Sequence, residues 1–206
     1  MQEITDLIMY FHKGGLVMWP LLACSITVIA IAIERFIYYK SVDSGATFAT
    51  RYCAAVRSGD FAVATELARR GSGQCAQMLA DVAAIDGGKA EKSAFLESRA
   101  GIFMATLRDK LDYLGIVVTM APLLGLLGTI VGMIGAFSIF NVEAGAPIAI
   151  TGGIGEALIA TATGLCVAIL SLCAHSYFAH RMDNMITDME QCFSALLEAE
   201  TRRARS

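Results

Sequence analysis

Residues Gly115–Phe140 read GIVVTMAPLLGLLGTIVGMIGAFSIF, a stretch without a single Asp, Glu, Lys, Arg or His. As a helix rising 1.5 Å per residue it is about 39 Å long, enough to cross a hydrocarbon core of about 30 Å with some tilt. Two more segments have the same character. LVMWPLLACSITVIAIAI, Leu16–Ile33, is uncharged and about 27 Å long as a helix. Ala157–Phe178 contains only His175, close to its end. The whole chain agrees: of 206 residues 56% are hydrophobic and 17% charged, and the mean hydropathy is +0.59. Such a composition is too apolar for an ordinary water-soluble domain. The expected fold class is an all-α membrane protein with three transmembrane helices.

The positions of the cations set the expected orientation, because short cytoplasmic loops are enriched in Lys and Arg. Arg35, Lys40, Arg51, Arg57, Arg69, Arg70, Lys89, Lys92, Arg99, Arg108 and Lys110 fall between spans one and two, and Arg181, Arg202, Arg203 and Arg205 follow span three. The connection Asn141–Glu156 has none, and Lys13 stands alone before span one. The N-terminus is therefore expected outside and the C-terminus in the cytoplasm. The expected division is an outer N-terminal segment over 1–15, transmembrane helices over 16–39, 114–140 and 156–178, a cytoplasmic helical domain over 40–113, an outer loop over 141–155 and a cytoplasmic C-terminal helix over 179–206. Met1–His12 lacks a cationic start and a small-residue cleavage site, so span one is read as retained rather than as a cleaved signal.

The segment Lys40–Asp112 has no proline and is rich in Ala, Glu, Arg and Leu, which predicts helices punctuated by glycine. Asp60 is a candidate N-cap for a helix over Phe61–Arg70, ended by Gly71 and Gly73. A second helix is expected over Gln74–Ile85, stopped at Gly87 and Gly88. From Ala90 no strong breaker intervenes, so one helix of about 75 Å is expected to run through Phe140. Pro122 removes one backbone bond and should kink it.

Small residues recur along the last two spans. Ala121, Gly125, Gly128, Gly132 and Gly135 share one face of span two, and Ala157, Thr161, Gly164, Ala168 and Ser171 share one face of span three. Such faces let helix backbones approach closely in lipid. They serve either ordinary packing within one subunit or contact between subunits; since one pair of helices needs only one seam, two stripes favour the second. Thr129 and Thr161 either bond their own preceding turn or form a polar belt lining a lumen. Glu156 follows the turn expected at Thr151–Gly155. At a membrane boundary a carboxylate is a functional candidate, and at a helix N-terminus it is equally a cap. Glu34 and Arg35 close span one, where an ion pair or snorkelling at the interface explains both.

Several functions lack support. A net charge of −3 and a pI near 5.6 offer no basic face for nucleic acid. Six cysteines, Cys24, Cys53, Cys75, Cys166, Cys173 and Cys192, lack zinc spacing and fall outside the outer segments, so reduced packing thiols are expected. His12, His175 and His180 have no metal spacing. Gly153 and Gly155 resemble part of a dinucleotide fingerprint, but Leu158 occupies the third glycine position. No catalysis, metal or cofactor is expected. The central third of each span lacks an Asp, Glu, Lys, Arg or His, although carrying protons across a bilayer ordinarily needs such a group. A proton path would need a group from another chain.

APLLGLLGTIVGMIGAF, Ala121–Phe137, and GGIGEALIATATGLCVAI, Gly152–Ile169, resemble the MotA/TolQ/ExbB proton-channel family. GGLVMWPLLACS, Gly14–Ser25, and the pair Glu34 and Arg35 are similar to its ExbB-like branch. This resemblance implies a homopentamer in a bacterial inner membrane with a periplasmic N-terminus. Its second and third spans would line a lumen holding an ExbD-like or TolR-like single-span partner, whose membrane aspartate carries the proton. It implies pore roles for Thr129, Thr161 and Glu156, and a TonB-like protein as the energised client. A TolQ-like duty in envelope integrity and a purely structural membrane scaffold are the alternatives. A MotA-like stator fits less well, since that branch has four spans and charged torque residues.

Overall fold

The computed structural model describes residue 11, residues 14–142 and residues 147–203. Among these, the regular structure is entirely helical: α1 (Met18–Val42), α2 (Ala46–Arg57), α3 (Phe61–Arg70), α4 (Gln74–Ala83), α5 (Lys89–Arg108), α6 (Leu111–Val142) and α7 (Pro147–Arg203). Three helical stretches are long and apolar enough to cross a membrane. Most of the expected outer segment 1–15, with His12 and Lys13, and part of the expected loop 141–155 lie outside the described residues. The chain divides into two compact units: residues up to Ile33 with Asp112–Ser176, and Glu34–Leu111 with Tyr177–Ser206.

In the first unit α1 buries Met18, Leu21, Cys24 and Val28, residues spaced about one helical turn apart, as one buried face requires. Its opposite face leaves Trp19, Ile26, Ile29 and Ile33 exposed. The same division holds on α6, where Leu123, Ile130 and Ile134 are exposed while Leu114, Val117 and Ala121 are buried. Apolar side chains pointing outward are the pattern of helices solvated by lipid, which needs no polar outer face.

Two expectations are corrected in the secondary structure. The turn expected over Thr151–Gly155 is helix, since α7 begins at Pro147. Proline is pre-set for the first helical turn, and glycine is a weak breaker where backbone groups have no water to bond. Glu156 therefore lies inside α7 and caps nothing at its N-terminus. The uninterrupted helix expected from Ala90 through Phe140 is divided in two by a turn at Asp109 and Lys110. Local sequence does not explain that division: Gly101 and Gly115 are the flanking glycines and both are helical.

The second unit folds α2–α5 with the end of α1 and the C-terminal half of α7. Leu79, Val82, Leu96, Leu107, Met189 and Cys192 form its core, each at 1% exposure or less. Asp60 caps α3 as expected, its Oδ1 accepting from the Val63 amide at 3.1 Å. Helix α4 ends at Ala83, close to the expected stop. Its N-terminus has no local cap, and Ser44 Oγ accepts from the Ala76 amide at 3.2 Å. At Gly73 φ is +87°, and a Cβ would lie 2.6 Å from the Ser44 amide nitrogen, so backbone sign and space both demand glycine. Lys92 pairs with Glu200 at 2.9 Å, and Arg181 with Asp43 at 3.1 Å.

The six cysteines are free thiols. Cys24, Cys53, Cys75 and Cys192 are buried, in keeping with a packing role, whereas Cys166 and Cys173 are exposed and pack against little within this chain.

Candidate functional site

The first unit is organised around the antiparallel contact of α6 with α7, and small residues permit it. A Cβ built on Gly125 would lie 3.0 Å from the Thr161 Cα and 3.1 Å from the Ala160 carbonyl oxygen; on Gly128, 2.5 Å from the Ala160 Cβ; on Gly132, 3.0 Å from the Gly153 carbonyl oxygen. From the other side, a Cβ on Gly164 would lie 2.6 Å from the Ala121 carbonyl oxygen. Ala121 and Ala160 are fully buried, and Ala157 and Ala168 nearly so. The backbones thus touch where any side chain would part them, as dispersion-driven association in lipid requires.

The two stripes consequently meet one another, and the inference that two stripes imply a second surface is corrected. One seam uses Ala121, Gly125, Gly128 and Gly132 against Gly153, Ala157, Ala160 and Gly164. Gly135 does not belong to it, since a Cβ there would meet nothing within 4 Å. Ala160 and Gly153 are seam residues that the sequence reading missed. The signal was present in the spacing Gly153, Ala157, Ala160, Gly164, four and three residues apart.

Two hydroxyls cross the seam. Thr161 Oγ1 donates to the Gly125 carbonyl oxygen at 3.1 Å, and the buried Ser171 Oγ donates to the Leu114 carbonyl oxygen at 2.9 Å. Neither spends its proton on its own preceding turn, as an isolated threonine or serine in a helix does. Thr129 behaves otherwise: half-buried, it donates to Leu126 within its own helix at 2.7 Å. The structure therefore separates the two threonines. One is built into the helix contact and the other lies beside it.

Glu156 packs against the chain entering α1. Gly15 has φ +72°, and a Cβ there would overlap the Glu156 carboxylate. The acidic side chain of α7 and the glycine at the mouth of α1 thus fit only with each other's present shape. Glu34 and Arg35 belong to the second unit. Arg35, 3% exposed, donates from Nε to Glu34 Oε2 at 2.7 Å and from Nη1 to the Thr106 carbonyl oxygen at 3.0 Å. Lys110 Nζ lies 3.2 Å from Glu34 Oε1. The expected ion pair between Glu34 and Arg35 is present, and it is also tied to the end of α5. No cluster of metal-ligating side chains occurs among the described residues.

These features define a helical membrane protein whose last two spans close on a buried small-residue seam. A model of the MotA/TolQ/ExbB proton channel family matches residues 72–191, more than half of the chain, and this chain belongs to that family. It is 33% identical over 168 residues to the putative biopolymer transport protein ExbB-like 1 of Synechocystis sp., covering 79% of this chain and 66% of that protein. It is 30% identical over 164 residues to ExbB-like 3 of the same organism, covering 77% and 78%. It is also 36% identical over 81 residues to the Tol-Pal system protein TolQ of Pseudomonas aeruginosa, covering 39% and 35%. The chain thus spans a little under two thirds of the length of the first of these relatives.

Proposed function

We propose that this chain is the ring-forming, non-enzymatic subunit of an ExbB-type energiser that uses the proton motive force across a bacterial inner membrane. Five copies form the ring. Residues 114–140 and 156–178 cross the membrane beside the lumen, and 16–39 cross on its outside. The N-terminus is periplasmic, while 40–113 and 179–206 are cytoplasmic. A single-span ExbD-like or TolR-like partner occupies the lumen and brings the membrane aspartate that carries the proton. A TonB-like protein is then energised for import through the outer membrane.

The observation that carries this reading is the α6–α7 seam itself. Two membrane helices are locked together at backbone contact, so they form a stiff wall, and neither has an Asp, Glu, Lys, Arg or His in its central third. A stiff wall of this composition suits a subunit that houses a proton carrier and does not itself carry protons. Thr129, half-buried beside the seam, is the hydroxyl assigned to the lumen. Thr161 and Glu156 contribute from α7.

Reconstitution in liposomes tests this. Proton uptake driven by a potential is expected when the chain is present with its single-span partner, and none when the chain is alone. Equal uptake by the isolated chain would overturn it. Native mass spectrometry of the purified complex is expected to count five copies. The TolQ relative supports a second reading, in which the client maintains the envelope and imports nothing. Deletion strains distinguish them: loss of iron-complex uptake favours the first, and detergent sensitivity with normal uptake the second.

A further inference from the structure

His175 is the one imidazole within the three spans, and the seam makes no use of it. It is half-buried on α7, and its ring lies against α6 where that helix has no side chain: a Cβ on Gly115 would be 3.8 Å from Nε2 and 3.9 Å from Cδ2. Ser171, one turn earlier, spends its proton on the Leu114 carbonyl. The His175 ring, by contrast, has no hydrogen bond or ion pair with another described residue.

The ring stands on one particular flank of the two helices. Thr161, Leu165, Ala168, Leu172 and His175 follow one another on α7 at steps of four and three, and Gly115, Thr119, Pro122, Leu126 and Thr129 do the same on α6, so each set shares one helix face. Thr161 bonds Gly125 and His175 lies over Gly115, so the two faces adjoin along the contact. The other span of the chain covers a different face: Val28 and Ile29 of α1 share a groove with Val167, Leu170 and Ala174 of α7. Leu126, Leu165 and Leu172 are accordingly exposed. The open flank is thus apolar apart from threonine hydroxyls and, at one end of the span, this imidazole.

We propose that His175 is the proton-release residue of the wall, taking up the proton that leaves the lumen and passing it to water on the cytoplasmic side. The proposal rests on the energiser reading above and extends it to the exit. His175 stands about 21 Å along α7 from Thr161, outside the central third of the span, so the mid-membrane step stays with the partner's aspartate and water bridges the distance to the ring. In the step, a hydronium protonates the bare ring nitrogen, and the imidazolium then gives a proton from a ring N–H to water beyond it. The ring ends neutral, and only N–H and O–H bonds form and break. Neutral imidazole is both donor and acceptor and imidazoles change charge near neutral pH, which threonine hydroxyls do not. Asp112, one turn before Gly115 on α6 and exposed, is the next carboxylate toward that end and draws the released proton outward. A ring that passes protons by N–H exchange has no means of passing Na⁺, so the coupling ion is H⁺.

The complex of this chain with its single-span partner, in liposomes under a potassium-diffusion potential, tests it. Proton uptake by the unmodified complex is the reference, and its absence would overturn the energiser reading and this inference with it. His175→Ala is expected to lower uptake at least about tenfold, a modest part of the roughly 10²–10⁴-fold that a positioned acid–base group contributes. Imidazole in the buffer is expected to restore uptake in that variant and to leave the unmodified complex unchanged. His175→Gln, similar in size but unable to take up a proton, is expected to be as slow as His175→Ala. Native mass spectrometry, with unchanged subunit and partner counts, separates a lost relay from lost assembly. Uptake at the unmodified rate in either variant would overturn the proposal and leave the energiser reading standing. So would a slow, fully assembled His175→Ala that imidazole does not restore, or failure of both variants to assemble, which assigns the ring to packing.

Discussion

Thr161 Oγ1 donates to the carbonyl oxygen of Gly125 at 3.1 Å, from α7 to α6 across their small-residue seam. That carbonyl can be reached because Gly125 has no side chain: a Cβ there would stand 3.0 Å from the Thr161 Cα. The glycine and the threonine are one device. Thr161→Val keeps the volume and removes the donor, and interhelical hydrogen bonds in membranes average about 0.6 kcal/mol. The variant is therefore expected to assemble normally, lose about that much stability in detergent unfolding, and energise its client poorly. Wild-type uptake of iron complexes by Thr161→Val would remove the hydroxyl from the mechanism.

Gly128 and Gly135 are expected to behave in opposite ways, although both lie on α6 among similar neighbours. A Cβ on Gly128 would be 2.5 Å from the Ala160 Cβ, while one on Gly135 would meet nothing within 4 Å. Gly128→Ala should cost roughly 1–3 kcal/mol through overpacking, and Gly128→Leu should block assembly. Gly135→Ala should be neutral or gain up to about 1 kcal/mol from helix propensity. Thermal unfolding of the three purified variants, with native mass spectrometry for subunit number, measures both. Equal effects at the two positions would contradict the seam.

Gly15 and Glu156 are expected to be coupled. Gly15→Ala suffers twice, from its φ of +72° and from the carboxylate occupying the Cβ position. Glu156→Ala removes only the second obstacle. The double variant should therefore recover part of the loss and retain the left-handed backbone cost of about 1–2 kcal/mol. A double-mutant cycle on unfolding free energy that shows simple additivity would refute the contact.

The buried thiols make the second unit sensitive to alkali. Burial, and then the neighbouring Cys192 sulfur 3.9 Å away, push the Cys53 thiol up to about 11. Hydrogen bonding with Cys75 and burial push the Cys192 thiol up as well. A group held protonated in the fold but ionising near 8.5 when unfolded stabilises the fold fully below that value. The contribution drains away as the pH rises from about 8.5 to about 11. Iodoacetamide at pH 8 should therefore label Cys53 and Cys192 only on unfolding, and Cys53→Ser with Cys192→Ser should flatten the stability profile above pH 9. Rapid labelling of either residue in the folded protein would overturn this.

Much was legible in the sequence because the governing physics is local or one-dimensional. Uninterrupted apolar length makes a membrane helix whatever its neighbours are, so the three spans followed from composition along the chain. Asp60 caps α3 because a carboxylate reaches an amide three residues on without help from elsewhere. Glycine and alanine spacing marked a close-packing face on each of two helices. Spacing could not say what each face meets, because a helix surface has the same periodicity whether its partner is within the chain or another subunit. Gly135 shares the periodicity of Gly128 and lies outside the contact. The tertiary structure alone decided that the two stripes face each other, that Glu156 lies against Gly15 inside a helix begun at Pro147, and that α5 ends at Arg108. In that last case the chain itself holds no breaker. At that helix end the Thr106 and Leu107 carbonyls accept from Arg35 and Tyr39, some seventy residues earlier, and a bond between distant residues is invisible until the fold brings them together.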